Sequence, residues 1–432
     1  KIMRAWTYLY LTDTWGDVPY SEAIQGLYVD GTITPVYDTQ ETIYPALLAE
    51  LEEANQLLAG TSVNFGSGDI LYGGDPTLWR KFANSLKLRI LNRAAGTPWS
   101  FTYNMAGGTT FTSSPGAAAL ANADAQIAAI LASPTNYPIF TSNADNAELV
   151  WPGIPYRNPI YDALFSRKDQ AISETMVDWL EARVDPRLHI YAQPTPNSVT
   201  TPPLDYVGFQ NGRGVTAANF PSISMLGTEI AFIEGATSKV MTYDEVQFIK
   251  AEHYLRVAND ANAKAAYEGG IAASMERWGC INGGNVYPSW GYANDITVGT
   301  TAFPVNYTTY LAHPLVVWGG TAAEKYQKIC EQKWAAIFGQ GIEAYAEIRR
   351  TGFPARIFEY ELEGAYYPNL GLPIRLQYAL SEQTYNTTNL AAAQTAEKVE
   401  LINEGMFSTN GTQSQIWWHT RKNPVPTVTD VK

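Results

Sequence analysis

The chain has 432 residues, 46% of them hydrophobic and 16% charged, so it is a globular chain long enough for a sizeable core and two lobes. Its formal charge is −13, with no basic run to offset it. That excludes a nucleic-acid phosphate backbone as ligand and favours neutral or cationic partners. Aromatics are the excess, with 12 Trp and 27 Tyr, side chains that pair a flat apolar face with a polar edge.

No stretch is apolar enough to cross a bilayer. Lys1 opens inside a helix-like run, so upstream residues are expected to be missing and the lack of a targeting signal says nothing. Cys280 and Cys330 have no CxxC or Cys/His spacing. They are either free and buried or joined in one bridge.

Ile2 to Thr14 is apolar at helical spacing and closes near Gly16 and Pro19. Ile43, Leu47, Leu51, Ala54 and Leu58 repeat at three- and four-residue steps before Gly60, with Pro45 marking the first turn or a kink. Asp75-Pro76 reads as a cap and first turn for the helix through Leu78, Trp79, Phe82, Leu86 and Ile90, which stops at Gly96. From about 97 to 241 Gly, Pro, Ser, Thr and Asn are dense, predicting loops and short strands around two helices, Ala117 to Leu131 and Ser173 to Ala182.

Helices resume at Thr242-Tyr243-Asp244-Glu245, which has the spacing of a capping box, and continue through Phe248, Ala251, Leu255 and Ala258. A partner helix is predicted over Ala263 to Trp278, a second loop-rich insert over about 282–320, and a helix over Ala322 to Phe338. Gly339-Gln340-Gly341 either kinks that helix or separates it from another, which ends at Gly352 with Pro354 beyond. Arg349 and Arg350 then sit where cations suit the negative end of a helix dipole, and Asp185-Pro186-Arg187 reads as a turn with an internal ion pair. The fold class is mainly α: tetratricopeptide-like helical pairs, about 1–96 and 242–351, carrying loop-rich inserts and few short strands in a single domain.

Catalysis is not supported. His189, His253, His313 and His419 are scattered, and no His-Glu-x-x-His helix, Gly-x-Ser-x-Gly elbow or Walker-type loop occurs. Carboxylate pairs such as Glu52/Glu53 and Glu361/Glu363 are ordinary in an acidic chain. No cofactor is called for and no metal ligand is assigned, although Asp and Asn in the loops leave calcium open.

Binding is better supported, because the loops gather aromatics beside small polar residues: Trp99 and Tyr103; Trp151 and Tyr156; Tyr287, Trp290 and Tyr292; Trp318. A sugar ring has C–H groups on one face and hydroxyls at its edge, so aromatic rings stack on the face while Asn, Asp and Arg meet the edge. Trp99, Tyr287, Trp290 and Tyr292 are the candidate ligand-binding residues. The 282–292 stretch is the most site-like, since Gly283-Gly284 and Gly291 accompany three aromatics. Trp278, at the close of its helix, reads as packing.

Several motifs in order resemble those of the SusD/RagB-like family. They are Thr12-Asp13-Thr14-Trp15-Gly16-Asp17-Val18-Pro19-Tyr20; Asp69-Ile70-Leu71-Tyr72-Gly73-Gly74-Asp75 with Trp79-Arg80-Lys81-Phe82-Ala83-Asn84-Ser85-Leu86; Asp185-Pro186-Arg187-Leu188; Glu245 to Glu252; Gly270 to Ser274; Gln332 to Pro354; and Arg375-Leu376 with Ser381-Glu382. The resemblance implies a tetratricopeptide-containing scaffold on a lipid-anchored outer-membrane protein. It also implies that the protein captures oligosaccharides, or in some members peptides, and delivers them to a SusC-like TonB-dependent transporter. The family's lipidated cysteine is not in this chain, so an anchor would lie outside it. A helical glycoside hydrolase is the remaining, catalytic alternative.

Overall fold

The computed structural model describes the chain apart from residues 29, 65, 105–109, 113–114, 168–169, 212–219, 293–294, 356–373, 397–415 and 419–432. His419, Glu361 and Glu363 lie outside the described residues. The apolar N-terminal run forms α1, Ile2–Trp15, which ends at Gly16 with φ of 83°. Helix α2, Gln40–Leu58, begins where the Thr39 hydroxyl accepts from the Thr42 amide, and Pro45 lies in its second turn rather than its first. Helix α3, Pro76–Ala94, starts as its residues dictate: the Asp75 carboxylate accepts from the Thr77 and Leu78 amides. Tyr8, Leu9, Ile43, Leu47, Leu51, Phe82, Leu86 and Ile90 meet in the first core.

The first insert contains β1, Thr102–Asn104, antiparallel to β2, Thr110–Thr112. Helix α4, Ala123–Ala132, starts later than the expected Ala117. The preceding backbone pairs with Thr97 through Gly116 and crosses directly over Gly96, which leaves Ala117 no room to begin a helix there. Strand β3, Ala147–Leu149, and helix α5, Pro159–Leu164, follow. Helix α6, Glu174–Glu181, is capped by Ser173 as predicted. After α7, Leu188–Tyr191, α8, Pro196–Thr200, and α9, Thr228–Ala231, strand β4, Ser238–Met241, returns antiparallel to β3 and closes the insert.

Helices α10, Tyr243–Arg256, and α11, Asp260–Arg277, form an antiparallel hairpin packed against α13, Ala322–Ala336. Between α11 and α13 lie β5, Asn285–Val286; β6, Ser289–Trp290; β7, Thr297–Val298; β8, Phe303–Pro304; and helix α12, Tyr307–Leu311. β5 pairs with β8 and β6 with β7. Gly339, at φ of 87°, separates α13 from α14, Gly341–Thr351, so the glycine-rich junction divides two helices. Gly352 ends α14 in the left-handed region at φ of 78°. Short helices α15, Leu380–Tyr385, and α16, Thr387–Ala396, come last among the described elements. The fold is a mainly helical tetratricopeptide-like array with loop-rich inserts.

Two expectations about local chemistry are corrected. Thr242 caps α10 without a side-chain hydrogen bond, and Glu245 does not reach back to it. The Glu245 carboxylate is instead fully buried and takes both nitrogens of a fork from Arg89, at 2.7 and 2.6 Å. The box forms at α13, where Thr321 and Glu324 exchange bonds. Arg349 and Arg350, expected to serve the helix dipole, are buried. Arg350 bonds Glu347 and Glu252 at 2.6 and 2.8 Å, while Arg349 donates to the Ile374 carbonyl at 2.6 Å.

Arg350 belongs to a buried charge network that ties α1, α3, α10, α13 and α14 together. Five carboxylates (Asp13, Glu245, Glu252, Glu343, Glu347) face five cations (Arg89, Arg93, Arg256, Lys333, Arg350). Burial alone would raise the Glu343 carboxyl, yet Arg93 and Arg89 hold it below its ordinary range. A second buried hub is the predicted Asp185–Arg187 pair, a fork at 2.9 and 2.6 Å that also engages Ser274 and Gln332. Cys280 and Cys330 are free and buried, and burial pushes the Cys280 thiol up to about 12.

Candidate ligand cleft

The junction of the two inserts with the end of the α10–α11 hairpin leaves a cleft of 620 Å³. Trp278 and Arg277, at the C-terminal end of α11, form one wall, and Gly279 at φ of 76° turns the chain away behind them. Strand β4 brings Lys239 in, with Glu148 as its register partner on β3. Asn285, Ser289 and Val298 come from the short strands of the second insert, Tyr287 from the connection between β5 and β6, and Glu229 from α9.

Trp278 is 9% exposed, its ring set edge-on to Tyr191 at 5.0 Å. The Lys239 ammonium sits 4.4 Å from the indole centroid and the Arg277 guanidinium 5.0 Å from it, so two cations lie over the ring. Among the described residues its buried Nε1 has no hydrogen-bond partner. Arg277 is held by Asp244 at 2.7 Å and the Ala336 carbonyl at 2.7 Å. Among the described residues Lys239 bonds the Thr237 carbonyl and hydroxyl alone, at 3.3 and 3.2 Å. Burial, with Arg277 adding repulsion, pushes its ammonium down to about 8. Tyr287 is 46% exposed, an open ring at the mouth.

Of the four candidate residues, Tyr287 alone lines this cleft. Trp99 tilts onto Tyr326 at 4.8 Å beside the α10–α11–α13 core. Trp290 lies on β6 with its six-membered ring against Gly299. Tyr292 turns its hydroxyl to the Pro194 carbonyl at 2.5 Å and its ring to Phe220. The structure therefore does not bring the four together. Trp278 does pack, as its helical spacing predicts, and also faces the cleft. Lys239 and Glu148 carry no local signal of a site, because they meet only through pairing across the whole first insert.

A second cleft, of 520 Å³, runs along α1 and α2 beside Ile2, Met3, Leu57, Leu58 and Trp79. It is the poorer site for a sugar. Its only carboxylate, Asp69, already accepts from the Leu71, Tyr72 and Gly74 amides and the Trp79 indole.

The architecture is a tetratricopeptide-like array of helical pairs with a cleft at the junction of its inserts. Residues 1–105 and 114–379 match the SusD-like family, described as starch-binding and associating with the outer membrane, and the chain belongs to that family. A SusD homologue from Bacteroides fragilis is 26% identical with a TM-score of 0.70, covering 96% of this chain and 82% of its own. A second from the same species is 21% identical with a TM-score of 0.74, covering 97% and 82%. A chitin-binding SusD homologue from Flavobacterium johnsoniae is 24% identical with a TM-score of 0.68, covering 97% and 79%. No curated protein matches the chain. Among the described residues no helix is long and apolar enough to cross a membrane.

Proposed function

We propose that the protein captures oligosaccharide at the cell surface and delivers it to a SusC-like TonB-dependent transporter, held at the outer membrane by a lipid anchor outside this chain. The observation that carries the reading is the 620 Å³ cleft, where the rings of Trp278 and Tyr287 are bordered by Asn285, Ser289, Glu148 and Lys239. The open Tyr287 ring supplies stacking and the polar rim meets hydroxyls, which suits capture and release better than permanent retention. No catalytic step is assigned to it. A SusD-like fold in a chitin-binding relative supports glycans as the ligand class. Glu148 and Glu229 at the rim, in a chain of charge −13, favour a basic peptide as the second reading.

Calorimetry against a panel of glycans and basic peptides separates the two. Because Tyr287 is exposed, Tyr287→Ala should weaken glycan binding about 2- to 10-fold and leave the melting temperature unchanged. Peptide binding that fades with added salt, with no glycan bound, would reverse the assignment. A fall in melting temperature with unaltered affinity would mean that Tyr287 is a packing residue. Co-purification of the transporter from outer membranes tests delivery.

A further inference from the structure

We infer that the cleft selects glycans carrying an anionic group, a carboxylate such as that of a uronic acid, and that Lys239 is the residue that reads it. This rests on the cleft being the glycan site. The argument starts from unmet charge. Most other partly or fully buried cations in the structure have a carboxylate close by: Arg277 has Asp244, Arg350 has Glu347, Arg187 has Asp185 and Lys333 has Glu347. Among the described residues Lys239 has no carboxylate at ion-pair distance: it bonds the neutral oxygens of Thr237 and lies over Trp278, while Glu148, Asp244 and Glu229 act on it from farther off. Its strand partner Glu148 bonds Asn146 at 3.2 Å instead of closing an ion pair with it.

A desolvated ammonium without a contacting carboxylate is unfavourable in the cleft, and a ligand carboxylate at hydrogen-bond distance reduces that penalty while gaining a charge-assisted hydrogen bond. Burial and Arg277 together hold the ammonium down to about 8, which is how an unpaired lysine behaves and is what a bound anion would reverse. The carboxylates of Glu148 and Glu229 also border the cleft. They repel an anion placed near them, and Glu148, the strand partner of Lys239, works against the ammonium, so the preference for an acidic ligand is that of Lys239 less this repulsion. The overall negative charge slows approach of a polyanion, but it acts over the Debye length, whereas Lys239 acts at contact.

The test is a set of matched pairs that differ in charge and not in ring or length: tetragalacturonate and its methyl ester, and glucuronic-acid-bearing and unsubstituted xylotetraose. Affinity is read by calorimetry for the unaltered protein, Lys239→Met and Lys239→Arg, with melting temperatures as a folding control. The unaltered protein should prefer the acidic member of at least one pair by about 10-fold, the discrimination expected of one charge-assisted bond. Lys239→Met should bring that preference to about parity and Lys239→Arg should keep most of it. Equal binding of acid and ester, or a preference that Lys239→Met leaves intact, overturns the inference and leaves glycan capture standing. Failure of every glycan, acidic or neutral, removes the capture reading and the inference with it.

Discussion

His189 shows how burial turns one side chain into a pH sensor of stability. Its ring stacks on Phe303 at 3.6 Å and its Nδ1 lies 2.9 Å from the Tyr206 hydroxyl, in surroundings that disfavour the imidazolium. Burial pushes its pKa down to about 4 against an ordinary 6.5, partly opposed by Asp185. The unfolded chain therefore holds the proton at pH values where the folded protein does not. Stability from this residue is complete above about pH 6.5 and is lost as pH falls toward 4, by on the order of 3 kcal/mol. His189→Gln should flatten that part of the stability curve. Urea midpoints measured from pH 7 to pH 4 decide it: parallel curves for the two proteins would show that His189 does not sense the change.

Among the elements, α3 was the most legible in the sequence. An Asp-Pro pair followed by apolar residues at three- and four-residue steps needs no tertiary information, because the cap satisfies amides within the first turn. Asp75→Ala should cost about 1 kcal/mol and lower the thermal midpoint, with the fold retained. An unchanged midpoint would mean that packing alone holds the start of α3. Thr242 and Glu245 show where the same kind of reading failed. The spacing of a capping box is local, but a fully buried Glu245 had a stronger partner in Arg89, from a helix far back in the chain. Similarly, Ala117 has helix-favouring neighbours, yet pairing of Gly116 with Thr97 holds the backbone extended beforehand. Competition from distant groups decided both.

At the scale of the whole molecule the buried charge network is the main constraint. It joins α1 at Asp13 to α14 at Glu343 through Arg93, and α10 to α14 through Arg350. Removing Arg350 leaves five buried carboxylates facing four cations, with Glu252 and Glu347 each short of its tightest partner. Arg350→Met should therefore destabilise by about 3–5 kcal/mol, seen as a lower denaturant midpoint by circular dichroism. A loss below about 1 kcal/mol would show that the pairs behave like exposed ones. Asp13, Glu245, Glu252, Glu343, Arg349, Arg350 and the Asp185–Arg187 pair all lie within the motifs that carry the family resemblance. They point inward, so these motifs report the scaffold and are silent on the ligand.

That division sets what the residues alone determined. Periodicity, capping residues and helix-ending glycines act within a few positions along the chain, and they marked most of the long helices, a break at Gly339 that was either a kink or a separation, and the family. The cleft was decided by tertiary structure. Lys239 meets Glu148 only because two short strands pair across the first insert, and both meet Trp278 only because the α10–α11 hairpin ends beside them. Tyr287 was visible as an aromatic in a glycine-rich loop, as were Trp99, Trp290 and Tyr292. Which of these rings faces an open cleft depends on packing between segments distant in sequence, and neither composition nor spacing encodes that.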